Sequence, residues 1–263
     1  MKSNLTPLSL KNPHSVLEAL RTRPGDVEKI ALAREAGPAW QEVEKLAQAN
    51  GIRVEALVGG GGKSAPNQFR ATQTHAVVRP KAPLSIEELI KSAQQQIQMR
   101  KRQYGTIVVL DCVQDPQNVG SIFRSAAFFG VAGILLTEDR TSDLSSVVYD
   151  VSSGGVEAVP FAVEVNLRMA LEKLKEQEFW ILGTSEHAKL RLEKVPRDRN
   201  WALVLGNEEK GLRKLTLETC DMVTAIPQAY TPNSYDGAQV GSLNVSVAAG
   251  VLFHTLGQWV DRV

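Results

Sequence analysis

The chain has 263 residues, 43% of them apolar, and a formal charge of +1, enough for a substantial core in one large or two ordinary domains. No run approaches the roughly 18 apolar residues of a membrane span, and the start MKSNLTPLSLKNPHS lacks a signal-peptide apolar region. Two isolated cysteines, Cys112 and Cys220, and four scattered histidines support neither a disulfide framework nor a metal site. These features predict a soluble, cytoplasmic protein without membrane or metal partners. They leave nucleic acid open, because a neutral protein can carry a local basic face.

The first third reads as a small α/β unit. A short helix is predicted at His14–Leu20, a strand at Val27–Ala33, a helix that starts at Pro38 and stops before Gly51, and strands at Ile52–Val58 and Thr74–Val78. Between the last two strands lies GGGGKS, Gly59–Ser64. It is not a phosphate-binding P-loop, because that motif needs glycine at Leu57, and Pro66 forbids the helix that would hold the phosphates. Ser85 with Glu88 three residues on forms a capping box for a helix Ile86–Gln103 that joins two domains. Between Gly59 and Tyr104 eight basic residues face two acidic ones. Lys63, Arg70, Arg79, Arg100, Lys101 and Arg102 are the candidates for contact with RNA phosphates.

From Thr106 strands and helices alternate. Strands at Ile107–Leu110, Gly133–Thr137, Val159–Val163, Phe179–Gly183, Trp201–Leu205 and Met222–Ala225 are interleaved with helices at Val119–Phe129, Leu144–Val151, Leu167–Gln177, Lys214–Thr219 and Leu243–Leu256. This alternation predicts an α/β domain with a parallel sheet covered on both faces. Asn118 is a suitable N-cap for the helix that follows it. Val119, Ile122, Phe123, Ala126 and Phe129 share its apolar face, while Gly120 and Arg124 stack on another that opens at the strand's carboxyl end.

Three segments end apolar strands with small and polar residues. They are Asp111–Arg124, Leu205–Leu212 (LGNEEKGL), and Ile226–Ser246, which closes in GSLNVS. Gly206 and Gly211 bracket a turn that presents Glu208. Ser242, Asn244 and Ser246 crowd a helix start whose N–H groups point outward.

Together Asp115-Pro-x-Asn118-x-Gly120-x-Ile122-x-Arg124, Gly206-x-Glu208-x-x-Gly211 and Ile226-Pro227…Ser242-Leu-Asn-Val-Ser246 resemble the three motifs of the SpoU (TrmH) class of SPOUT methyltransferases. The amino-terminal part is similar to the L30e-like domain that precedes this domain in bacterial large-subunit rRNA guanosine 2′-O-methyltransferases. The resemblance implies residues 1–84 as an RNA-binding domain, 85–104 as a linker helix, and 105–263 as a trefoil-knotted, homodimeric methyltransferase domain. It also implies S-adenosylmethionine as cofactor, met by Gly206, Ile226 and Leu243. The reaction would be methylation of a ribose 2′-hydroxyl in RNA, a guanosine of 23S rRNA before a tRNA, with a non-catalytic RNA-binding relative as the rival.

Asn118, Arg124, Glu208, Ser242 and Asn244 are then the catalytic candidates. The family suggests Arg124 as the activating group. A guanidinium stays protonated far above neutrality, so Arg124 would grip a phosphate and stabilise the developing alkoxide, oriented by Asn118 and Glu208. The loop Gln228–Gly241 is long for the family. Its Tyr230 and Tyr235 suggest a lid, against the alternative of a tolerated insertion.

Overall fold

The computed structural model describes residues 6–57, 73–138, 144–227 and 241–257. The glycine-rich Gly59–Ser64 with Lys63, Arg70, Tyr230 and Tyr235 of the long loop, and Trp259 lie outside them. The elements run β1 (Leu8–Leu10), α1 (Pro13–Thr22), β2 (Val27–Leu32), α2 (Pro38–Ala49), β3 (Val54–Ala56), β4 (His75–Val78), α3 (Ile86–Met99), β5 (Thr106–Leu110), α4 (Pro116–Phe129) and β6 (Gly133–Thr137). They continue with α5 (Ser146–Ser152), α6 (Gly155–Ala158), β7 (Phe161–Glu164), α7 (Leu167–Glu176), β8 (Phe179–Thr184), β9 (Leu190–Arg191), β10 (Asn200–Leu205), α8 (Lys214–Thr219), β11 (Met222–Ala225) and α9 (Val245–Leu256). The short strands β1 and β9 carry too few residues for a period and escaped the sequence reading.

Two compact units result, one of residues 1–82 with 144–158, the other of 83–143 with 159–263. The first has a mixed sheet ordered β1-β4-β2-β3. The α5–α6 segment belongs to it for a chemical reason. The Asp150 carboxylate accepts from the backbone N–H groups of Lys11 and Asn12, each at 2.9 Å, and Ser15 Oγ donates to the Tyr149 carbonyl at 2.6 Å. Arg23 holds Glu157 through two donors at 2.8 and 2.6 Å, a fork geometry that compensates a carboxylate whose side chain is only 1% exposed.

The second unit is built on a fully parallel seven-stranded sheet, β7-β6-β5-β10-β8-β11-β9. Its strands are apolar runs, and Ile107–Leu110 is wholly buried, as covering on both faces demands. Ile107 and Val109 join Leu89 and Ile90 of α3 and Leu171 and Leu174 of α7 in one core. Val108 and Leu110, alternating with them, face the other way. The capping box at Ser85 and Glu88 forms, but the helix it starts ends at Met99 and packs inside this unit against β6 and β7.

The chain leaves β5 through α4 toward β6, whereas it leaves β10 toward β11 on the opposite side. The carboxyl ends of β5 and β10 therefore flank the switch point where an open parallel sheet forms its crevice.

Candidate active site

The end of β5 is anchored before any chemistry is presented. Asp111 is completely buried and accepts from Arg213 Nε at 2.6 Å and Thr216 Oγ1 at 2.7 Å, ligands that satisfy a carboxylate withdrawn from water. Its N–H donates to Leu205 at 2.8 Å, so the β5 and β10 ends stay in register as the chain turns. Cys112 makes that turn at φ 64°, and its carbonyl accepts from Asn207 Nδ2 at 3.0 Å. The residues after β5 and β10 are thereby clamped side by side.

The loop after β10 folds back on itself. Asn207 and Gly211 exchange backbone hydrogen bonds at 3.1 and 3.0 Å, and Asn207 Oδ1 accepts from the N–H groups of Glu209 and Lys210. A Cβ at Gly206 would lie 2.6 Å from the backbone nitrogen of Leu212, so glycine is required there by the loop's own closure. The turn projects Glu208 over the start of α4.

That helix starts earlier than its sequence suggests. Asp115 is the N-cap, its carboxylate accepting from Gln117 N at 2.8 Å, and Pro116 is the first helical residue. Asn118 is therefore inside the first turn and not the cap, which frees its side chain. Asn118 Nδ2 donates to Glu208 Oε1 at 3.0 Å, and Asn118 Oδ1 accepts from Asn244 Nδ2 at 3.0 Å. Asn244 in turn caps α9, its Oδ1 accepting from Ser246 N at 2.9 Å and Ser246 Oγ at 2.7 Å. One hydrogen-bonded chain thus joins all three motifs.

Arg124 lies six residues beyond Asn118 on α4, a rise of about 9 Å. It is exposed, with no hydrogen bond or ion pair to a described residue. Gly120 is buried, so the open glycine face expected beneath Arg124 does not exist. Ser242 is exposed just before the cap, Leu243 is 49% exposed, and Ile226 and Pro227 are half-buried after β11. Among the basic candidates, Arg79 is paired with Glu28 at 3.1 Å, while Arg100 and Arg102 both donate to the Gly130 carbonyl.

Several residues at these strand ends escaped the sequence reading. Asn207 was passed over as a turn residue, although its Gly-Asn-Glu context was the available signal. Thr184 and Ser185 end β8, which lies between β10 and β11. Thr184 Oγ1 donates to Val204 at 3.0 Å, and Ser185 N donates to Thr224 at 3.0 Å. Cys220 is a packed thiol whose pKa burial, with nearby Asp221, pushes up to about 11, so it is no nucleophile at neutral pH. Among the described residues there is no metal-binding cluster and no helix long and apolar enough to cross a membrane.

A fully parallel sheet whose switch-point loops converge in one polar network has the architecture of an open α/β enzyme with its site at the strands' carboxyl ends. Residues 105–254 match the SpoU rRNA Methylase family, and the chain belongs to that family. It is 42% identical over 157 residues to the 23S rRNA (guanosine-2'-O-)-methyltransferase RlmB of Nitrosomonas europaea, covering 59% of this chain and 57% of that one. It is 36% identical over 223 residues, 82% of each chain, to the RlmB of Xylella fastidiosa. Its fold is similar to that of the SpoU methyltransferase AviRb from Streptomyces viridochromogenes in complex with AdoMet. There the TM-score is 0.73 at 19% identity, over 95% of this chain and 89% of that one.

Proposed function

We propose that this protein is an S-adenosylmethionine-dependent RNA methyltransferase that methylates the ribose 2′-hydroxyl of a guanosine in 23S rRNA. The observation that carries the proposal is the hydrogen-bonded chain Asn244–Asn118–Glu208, which joins the three motifs, with Arg124 exposed on the same helix as Asn118. The names of the two relatives support the substrate.

The residues at the strand ends fit the cofactor. Leu243, Ile226 and Pro227 offer apolar surface, and the loop that closes on Gly206 supplies backbone groups beside them. Such a rim takes a purine through apolar contact and backbone hydrogen bonds. S-adenosylmethionine supplies an electrophilic methyl group on a sulfonium. The protein's task is to align the ribose hydroxyl and to offset the charge that develops on its oxygen. Arg124, anchored on a rigid helix, grips the adjacent phosphate and stabilises the oxyanion. Asn118 and Glu208 fix the wall against which the ribose rests, and Ser242 offers a hydroxyl at its edge.

The rest of the architecture follows the same reading. The first unit is an L30e-like domain that positions RNA, with Lys63, Arg70 and Arg79 contributing phosphate contacts, and Arg100, Lys101 and Arg102 of the second unit add to them. The second unit is a trefoil-knotted methyltransferase domain, and the protein works in the cytoplasm as a homodimer. The dimer has a physical basis in α9, which is apolar nearly all round. Val247 and Val251 on it are 54% and 36% exposed, and Phe128 of α4 is 82% exposed, whereas a helix apolar on every side is normally covered. Leu252 and Leu256 are buried within the chain, so Phe128, Val247 and Val251 form the pairing surface.

The deciding experiment maps ribose methylations in ribosomal RNA from a strain lacking the protein and repeats the modification with purified protein. Loss of one 2′-O-methylguanosine from 23S rRNA, restored in vitro, is the expected result. An unchanged rRNA map with a lost tRNA methylation moves the substrate to tRNA, and binding without transfer makes the protein a non-catalytic relative.

A further inference from the structure

The segments that follow β5 and β10 are bridged twice. Asn207 Nδ2 donates to the Cys112 carbonyl at 3.0 Å, and Asn118 Nδ2 donates to Glu208 Oε1 at 3.0 Å. The two bridges are joined to each other, because Asn207 Nδ2 also donates to Glu208 Oε2 at 3.3 Å. A ring of hydrogen bonds therefore runs from the Cys112 carbonyl through Asn207 and Glu208 to Asn118, and the chain between Cys112 and Asn118 closes it. Glu208 is exposed. An exposed glutamate held by one oxygen can turn about that contact and keeps much of its rotamer freedom. Held at both oxygens, by amides of two segments, its carboxylate keeps one plane.

The turn that carries Glu208 does not explain why residue 207 is an amide. Asn207 Oδ1 accepts from the N–H groups of Glu209 and Lys210 at 3.0 and 3.1 Å, an arrangement that aspartate makes as readily as asparagine. The backbone N–H and carbonyl of Asn207 are exchanged with those of Gly211 at 3.1 and 3.0 Å. Loop closure thus calls for an acceptor in this side chain and for no donor. The donor half is directed to Cys112 and Glu208 instead.

We propose that Asn207 is a positioning residue for methyl transfer, acting through Glu208: its amide sets the plane of the carboxylate that, with Asn118, forms the wall of the ribose site. The inference rests on the proposed action on RNA and adds a residue to that site. At 3.3 Å the contact is longer than the about 2.7–2.9 Å usual for a charge-assisted hydrogen bond. Asn207 should accordingly count for less than Asn118, whose bond to the same carboxylate is shorter.

The test uses full-length protein, 23S rRNA and single-turnover rates. Asn207→Asp keeps the acceptor that closes the turn and removes the donor. It should lower the rate of transfer about tenfold, the worth of roughly one hydrogen bond to a charged group. KM for RNA and calorimetric affinity for S-adenosylmethionine should stay at wild-type values. Because aspartate also brings a charge, Asn207→Ala is a second variant, expected to act in the same direction, and it is repeated in a Glu208→Ala background. A residue that acts through Glu208 has nothing left to position there, so the double variant should be as slow as Glu208→Ala alone, whereas a purely structural role multiplies the two losses. Multiplied losses, or wild-type rates in both single variants, would overturn the proposal. A readout without turnover accompanies these rates: the side-chain amide NMR signals of Asn118, which report its bond to Glu208, should move toward ordinary solvent-exposed positions in Asn207→Asp and Asn207→Ala. Unchanged signals in both would likewise overturn it. Wild-type protein that transfers no methyl group would refute the enzymatic reading, and the same signals would still decide whether Asn207 holds Glu208.

Discussion

Asn118 donates to Glu208 across ninety positions of sequence, at 3.0 Å, and uses its remaining side-chain oxygen to accept from Asn244. A side-chain amide does both at once, its NH₂ donating to a carboxylate while its oxygen accepts from a second amide. The identity of residue 118 is thus set by its two partners rather than by helix capping.

Asn118→Ala should leave Glu208 and Asn244 unlinked and lower the rate of methyl transfer about 100-fold, equivalent to about 2.7 kcal/mol of transition-state stabilisation. Asn118→Asp should be worse, because it sets a second carboxylate against Glu208. Initial rates with labelled S-adenosylmethionine check both variants, and a thermal melt shows whether the fold is kept. Wild-type rates in the alanine variant would remove Asn118 from the machinery.

Arg124 is exposed and has no hydrogen bond or ion pair to a described residue, so Arg124→Ala should change stability by no more than about 0.5 kcal/mol. Methylation should nevertheless be abolished while calorimetry shows S-adenosylmethionine affinity unchanged. Loss of cofactor binding along with activity would assign the residue to the cofactor site.

The pairing surface predicts oligomeric state. Wild-type protein should scatter light as a dimer at micromolar concentration, with C₂ symmetry. Phe128→Asp and Val251→Asp should each shift it to monomer by placing a charge where apolar surface is covered. A monomeric wild type would refute the dimer.

Lys81 predicts a pH dependence of the first unit. Its ammonium donates to the Val156 and Glu157 carbonyls at 2.9 and 2.8 Å, yet burial lowers its pKa to about 8. With the folded value below the ordinary value near 10.5, the folded chain binds fewer protons between those limits. Lys81 therefore adds stability as pH rises from about 8 to 10.5. Tyr149, raised to about 12 by burial, contributes stability that is lost as pH climbs from about 10 to 12. Thermal midpoints of wild type minus those of Lys81→Met should increase from pH 8 to pH 10. A flat difference would show that Lys81 titrates normally.

Much of this molecule is legible one-dimensionally. The strand at residues 107–110 betrays its double-sided burial by an unbroken apolar run, the Ser85–Glu88 box marks the start of α3, and the three motif segments announce themselves as polar ends to apolar strands. Each signal is local, and local hydrogen bonding or burial on a fixed period is sufficient cause.

What tertiary structure alone decided is which of these ends meet. Insertion of β10 between β5 and β8 aligns Asp111 with Leu205, and from that register follow the clamp on Asn207 and the reach of Asn118 to Glu208 and Asn244. The sequence misplaced Asn118 as a cap because capping is a local rule, and Asp115 satisfied it first. Likewise residues 144–158, which lie between β6 and β7, belong to the first unit because the charges of Asp150 and Glu157 are met by Asn12 and Arg23. A buried charge takes its partner wherever the fold brings one within reach, and sequence separation carries no record of that distance.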